Sequence, residues 1–83
     1  MSEPTDFMQK WLSSKQVLAG ETTEVVPAGC YVQNTDGTAI LRIYPENMTA
    51  RYTPVVGDYW IVYPDGYQAI SPRAVFENGN TKL

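Results

Sequence analysis

The chain predicts an α+β fold: an N-terminal helix, a mostly antiparallel sheet of four to five strands made of two hairpins, and a short C-terminal helix. Three observations carry that expectation. Apolar residues near the start recur at three- and four-residue spacing, and two Asp-Gly turns lie within runs rich in β-branched and aromatic residues. Ser71-Pro72 then opens a helix-like stretch that Gly79 closes. The 83 residues are expected to form one domain, with 1–20 as helix, 25–70 as sheet and 71–79 as the short helix.

In the first element, Ser2 or Thr5 supplies a cap, Pro4 and Asp6 suit the first turn, and Gly20 suits the end. Phe7, Met8, Trp11, Leu12, Lys15 and Leu18 fall on one side. A domain this small needs every apolar stripe it has, so the stripe is expected to pack on the sheet. The alternative is that Phe7, Met8 and Trp11 dock into a groove of a partner. Glu21–Glu24 reads as a polar connector, and Val25-Val26-Pro27 as a short edge strand, because proline cannot donate to a ladder.

Ala28–Gln33 and Thr38–Tyr44 form the first hairpin, around Asn34-Thr35-Asp36-Gly37. Alternation places Ala39, Leu41 and Ile43 inward, with Thr38 and Arg42 outward. Pro45-Glu46-Asn47 is a turn, and Met48–Thr53 a short strand or extended link ending at Pro54.

The second hairpin is the most strongly written. Asp58–Tyr63 is dense in residues that suit a pleated, half-buried surface, with Tyr59, Ile61 and Tyr63 on one face and Trp60 and Val62 on the other. Neither face is polar, so both must meet something. Trp60 is assigned inward, Tyr59 and Tyr63 outward. Pro64-Asp65-Gly66 reverses the chain, and Tyr67–Ile70 returns antiparallel. Ser71 is expected to cap a free N–H with Pro72 at the first helical position, and Val75 and Phe76 to fold back on the sheet.

The pattern G-D-Y-W-x-V-Y-x-D-G-Y-x-x-x-S-P-x-x-x-F-E, carried by Gly57 to Glu77, resembles the C-terminal segment of small uncharacterised proteins encoded by tailed phages and prophages. The approach Met48-Thr49-Ala50-Arg51-Tyr52 fits as well, and agreement covers roughly the last third of the chain. Such proteins often finish with Gly-Tyr-Thr, where this chain has Gly79-Asn80-Thr81. The resemblance implies a phage setting and a fold signature, with no chemistry attached to its residues.

Composition narrows the classes of function. A chain of this size buries about 60–65% of its unfolded surface, so its core is thin. A hydrophobic content of 43% and an aromatic content of 12% suit a globular fold. The net charge is −3 and the six basic residues are scattered, so binding to nucleic-acid backbone lacks its driving force and is not expected. The single Cys30 fits a reducing compartment. No run approaches the ~20 apolar residues of a membrane span, and no signal peptide is recognisable. The expected location is the host cytoplasm, with the virion as the alternative.

Histidine is absent, which removes the commonest general base and most zinc sites. Cys30 reads as a small buried hydrophobe. No nucleotide-loop or nucleophile-elbow motif is present, and Glu46, Asp58, Asp65 and Glu77 are spread over loops. No catalytic residue, metal site or cofactor is expected, and the protein is read as not an enzyme. The aromatics remain: Tyr52, Tyr59, Trp60, Tyr63 and Tyr67 crowd into positions 52–67. Tyrosine and tryptophan are enriched in binding hot spots. The candidate partner-binding set is Tyr59, Tyr63, Tyr67, Tyr52, Phe7 and Trp11. The expected function is a non-enzymatic accessory protein that binds a host protein during takeover or anti-defence. A virion structural or decoration protein is the alternative, and a nucleotide-sequestering binder the third. A homo-oligomer is expected from the two-sided apolar hairpin, and the partner is a host or phage protein.

Overall fold

The computed structural model describes residues 8–50 and 52–83. Seven antiparallel strands and one helix follow in the order β1 (Gln9–Leu12), β2 (Gln16–Val26), β3 (Gly29–Gln33), β4 (Ala39–Ile43), β5 (Tyr59–Val62), β6 (Gln68–Ser71), α1 (Arg73–Gly79) and β7 (Thr81–Lys82). The long β2 organises them. Its first half pairs with β1, Val17 opposite Trp11, and with β5, Ala19 opposite Ile61. Its second half pairs with β3, Val25 opposite Cys30. β4 extends the sheet beyond β3, β6 beyond β5, and β7 beyond β1.

β2 can serve three neighbours because it is bent. A register shift between Thr22 and Glu24 marks a bulge, which sharpens local twist. Gly20 permits the crossing: a Cβ there would stand 2.5 Å from the Gln33 carbonyl oxygen and 2.6 Å from Val32 Cγ1.

The fold class is therefore mostly β, and the expected α+β arrangement of an N-terminal helix on four to five strands is corrected. Residues 9–12 and 16–26 are strands, so the helix ending at Gly20 and the polar connector Glu21–Glu24 are both replaced by extended chain; the positions before Met8 lie outside the described residues. The spacing of Trp11, Lys15 and Leu18 fits a helix, yet Val17, Thr22, Thr23, Val25 and Val26 favour strand, and pairing to β5 decides the matter. Met48–Thr53 contributes no strand among its described residues.

Two cores result, one on each face of β5. Trp11, Val17, Ala19, Tyr59 and Ile61 share one face, which α1 covers through Phe76. Trp11 meets Tyr59 and Phe76 edge-on, at ring separations of 5.3 and 4.9 Å, while Tyr59 stacks on Phe76 at 4.6 Å. The opposite face buries Trp60 with Met8, Cys30 and Val32, flanked by Leu18, Val25, Tyr44 and Ile70. Trp60 thus points inward as expected, but Tyr59 does too, only 6% exposed. The chain's own helix covers the second apolar face through Phe76.

At the C-terminal helix, Pro72 rather than Ser71 is the N-cap, and the Ser71 hydroxyl donates to the Pro72 carbonyl instead of capping a free N–H. Phe76 folds back, whereas Val75 stays exposed. Asn80 closes the helix by donating from its amide to the Phe76 carbonyl at 2.9 Å.

Candidate functional site

The site is the β5–β6 turn, whose Tyr63 packs in part against the helix-covered core. The turn is built by Asp65, whose carboxylate accepts the Tyr67 backbone N–H at 3.0 Å, and by Gly66 at φ 91°. The Tyr63 and Tyr67 main chains close it, with Tyr63 N–H donating to the Tyr67 carbonyl at 2.8 Å. Their rings lie together at 5.9 Å, and the Lys15 ammonium sits 5.9 Å from the Tyr63 ring. Tyr67 is 66% exposed.

Beneath the turn is a cleft of about 540 Å³. β1 contributes Lys10, β2 contributes Gln16 and Leu18, β4 contributes Arg42, and the turn region contributes Val62, Tyr63 and Gln68. Arg42 is the unexpected member. It was assigned outward, with Ala39, Leu41 and Ile43 inward, but the β3–β4 register places it opposite Cys30, 1% exposed. Leu41 and Ile43 face solvent at 37% and 50%, and Ala39 is also exposed. A slip of one residue would exchange the two sets. The Asn34–Thr38 turn prevents it: Asp36 accepts the Thr38 N–H at 3.0 Å and its hydroxyl at 2.6 Å, and Asn34 N–H donates to the Thr38 carbonyl at 2.7 Å. Gln68 is oriented by the core. The Trp60 indole N–H donates to its Oε1 at 2.9 Å, so the amide nitrogen is left as a donor.

The other aromatics of the candidate set have structural duties. Trp11 and Tyr59 are buried at the centre of the helix-covered core. The Tyr59 hydroxyl donates to Glu77 at 2.6 Å; burial foremost, then this bond, pushes its pKa up to about 12. Tyr52 donates to Asp58 at 2.7 Å, and that bond raises its pKa. Asp58 is itself buried, also accepts the Val55 N–H, and so pins the loop before β5. Phe7 lies outside the described residues. Among the described members of the set, Tyr63 and Tyr67 come together, Tyr67 exposed and Tyr63 half-buried against the helix-covered core.

Cys30 is wholly buried with its sulfur 3.3 Å from the Tyr44 hydroxyl. Burial raises its pKa against the opposing effect of that bond, which keeps it a thiol and a poor nucleophile. Tyr44, raised to about 12 mainly by burial, lies parallel to Trp60 at 6.0 Å.

Sequence reasoning missed Lys10, Arg42 and Gln68. Lys10 was hidden by the helical reading of its segment, and Arg42 by an alternation that hydropathy alone reads either way. Among the described residues, no three His, Cys, Asp or Glu side chains are grouped to hold a metal ion. No described helix is long and apolar enough to cross a membrane. No protein-family model, curated protein sequence or solved structure matches the chain.

Proposed function

We propose that the protein acts by binding and not by catalysis, engaging a protein partner through the Tyr63–Tyr67 turn. The observation that carries this reading is the tyrosine pair, Tyr67 exposed and Tyr63 partly packed against the helix-covered core, on a turn whose backbone is fixed by Asp65 and Gly66. Rigid tyrosines bury large area at low entropic cost, which suits a hot spot. The resemblance of the Gly57–Glu77 segment to tailed-phage proteins supports a phage-encoded accessory role, with a host protein as the target and the host cytoplasm as the place of action.

The test is affinity capture from infected host lysate with the intact chain and with Tyr63→Ala and Tyr67→Ala. A host protein held by the intact chain and lost with both variants supports the reading; each change should weaken association by about 1–2 kcal/mol while leaving the circular dichroism spectrum unchanged. Stoichiometric presence of the chain in purified particles would point to a virion component instead.

A further inference from the structure

The indole N–H of Trp11 is a donor that the fold leaves unanswered. The residue is only 7% exposed, yet its Nε1 has no hydrogen-bond partner. The other tryptophan is satisfied, since Trp60 Nε1 donates to Gln68 at 2.9 Å. A buried donor without an acceptor is costly, and such an exception marks a place where an acceptor from outside the chain fits.

Trp11 lines a hollow of about 250 Å³ on the helix-covered face, at a side where no residue of α1 contributes. Ala19 and Tyr59 form its walls, and its rim is polar. Most of the polar groups are already engaged. The Gln9 amide nitrogen donates to the Leu83 and Lys10 carbonyls at 2.7 and 3.2 Å. The Tyr59 hydroxyl donates to Glu77, and the Asn34 amide to the Thr38 hydroxyl. Glu21, the carboxylate among the described lining residues, is held by Arg73 at 2.8 Å.

Lys82 is different. It enters no ion pair among the described residues. It is also the cross-strand partner of Trp11, so the two side chains leave the sheet on one face from Cβ atoms about 4.5–5.5 Å apart. Two unspent donors therefore stand side by side, one neutral and buried, the other cationic and at the rim. A carboxylate matches them, one oxygen accepting from the indole and the other from the ammonium. Lys82 and Gln33 are long and exposed, so the rim can swing aside to admit it. The volume is below that of a drug-sized site, which limits the occupant to a short acid or the last residue of a chain.

We infer that this hollow binds a carboxylate, bridged between the Trp11 indole N–H and the Lys82 ammonium, with its body against Tyr59 and Ala19. The carboxylate belongs either to a small free acid or to the C-terminal end of a peptide, and both present the same chemistry.

The test is a heteronuclear NMR titration of the full chain at neutral pH with benzoate, benzamide and N-acetyl-dialanine bearing a free carboxylate. The two indole N–H signals supply the reading and its internal control. Benzoate should move the Trp11 signal saturably and leave that of Trp60, already bonded to Gln68, in place. Benzamide, which keeps an acceptor but lacks the charge, should bind at least about tenfold more weakly. Lys82→Gln should weaken benzoate about tenfold with the rest of the spectrum unaltered, and Lys15→Gln, outside the hollow, should not change it. Peptide binding tighter than benzoate identifies a chain end, and equal or weaker binding identifies a free acid. The inference is overturned if neither benzoate nor the peptide moves the Trp11 signal at millimolar concentration, if benzamide binds as well as benzoate, or if Lys82→Gln binds benzoate like the parent. Trp11 and Lys82 lie outside the Tyr63–Tyr67 turn, so the Tyr63→Ala and Tyr67→Ala captures decide the protein-partner reading separately.

Discussion

The Asn34–Thr38 and Tyr63–Tyr67 turns are one backbone with two sets of side chains. In each, the residue before the turn accepts from the glycine N–H, at 3.1 Å for Asn34 and Gly37 and 2.9 Å for Tyr63 and Gly66. In each, an aspartate carboxylate accepts the N–H two residues on at 3.0 Å, and the glycine φ is 88° or 91°. What differs is the decoration. The first turn spends its remaining side chains on itself, Asn34 and Thr38 bonding at 3.2 Å. The second has no such brace and carries two tyrosines whose rings lie 5.9 Å apart. Asp-Gly alone builds the reversal, and the flanking positions are free to fix register in one hairpin and to present a surface in the other.

The largest expected departure from that symmetry lies just behind the turns. Trp60→Ala should cost about 3–5 kcal/mol, against about 2 for Val32→Ala in the first hairpin, measured by urea denaturation. Equal losses would mean that the two hairpins share one core load. Alkaline titration comes next. Tyr59 ionises near 10 when unfolded and near 12 when folded, so its contribution is fully present below pH 10 and lost as the pH rises to 12. Stability read by tryptophan fluorescence should fall across that window, Tyr44 contributing as well because it too is raised to about 12, and Tyr59→Phe should remove on the order of 2 kcal/mol of the fall.

The glycines test the identity of the backbones. Gly37→Ala and Gly66→Ala should each cost about 1–2 kcal/mol, because both place a side chain at positive φ. Thermal melts that separate the two variants widely would show that the turns are not equivalent. The smallest effect is acidic. The hydrogen bonds from Thr38 hold the Asp36 pKa below the usual carboxylate value. Its contribution is present above that value and fades as the pH falls through the lowered one, so Asp36→Asn should weaken the acid dependence of the urea midpoint.

Both turns were legible in the sequence because Asp-Gly chemistry is local, and so were the strands on either side of them. The N-terminal strands were not. Trp11, Lys15 and Leu18 fit a helical stripe, and only a partner more than forty residues away, β5, distinguishes the alternatives. The site was half legible. Tyr63 and Tyr67 were found from aromatic crowding, but the same crowding swept in Trp11 and Tyr59, which serve the helix-covered core. Arg42 escaped because alternation fixes which residues share a face, and the turn register, not hydropathy, decides which face is buried.

The three-way sharing of β2 also sets an order in which the molecule can come apart. The Thr22 N–H donates to the Asp58 carbonyl and the Thr22 carbonyl accepts from Gly57, beside residues paired to β1 and β3. Those bonds cannot open until neighbours on both sides have moved. β7 and β6, each paired along one edge, can peel away alone. Amide hydrogen exchange should therefore run inward from these rims, with Leu18 to Thr22 exchanging only through global unfolding.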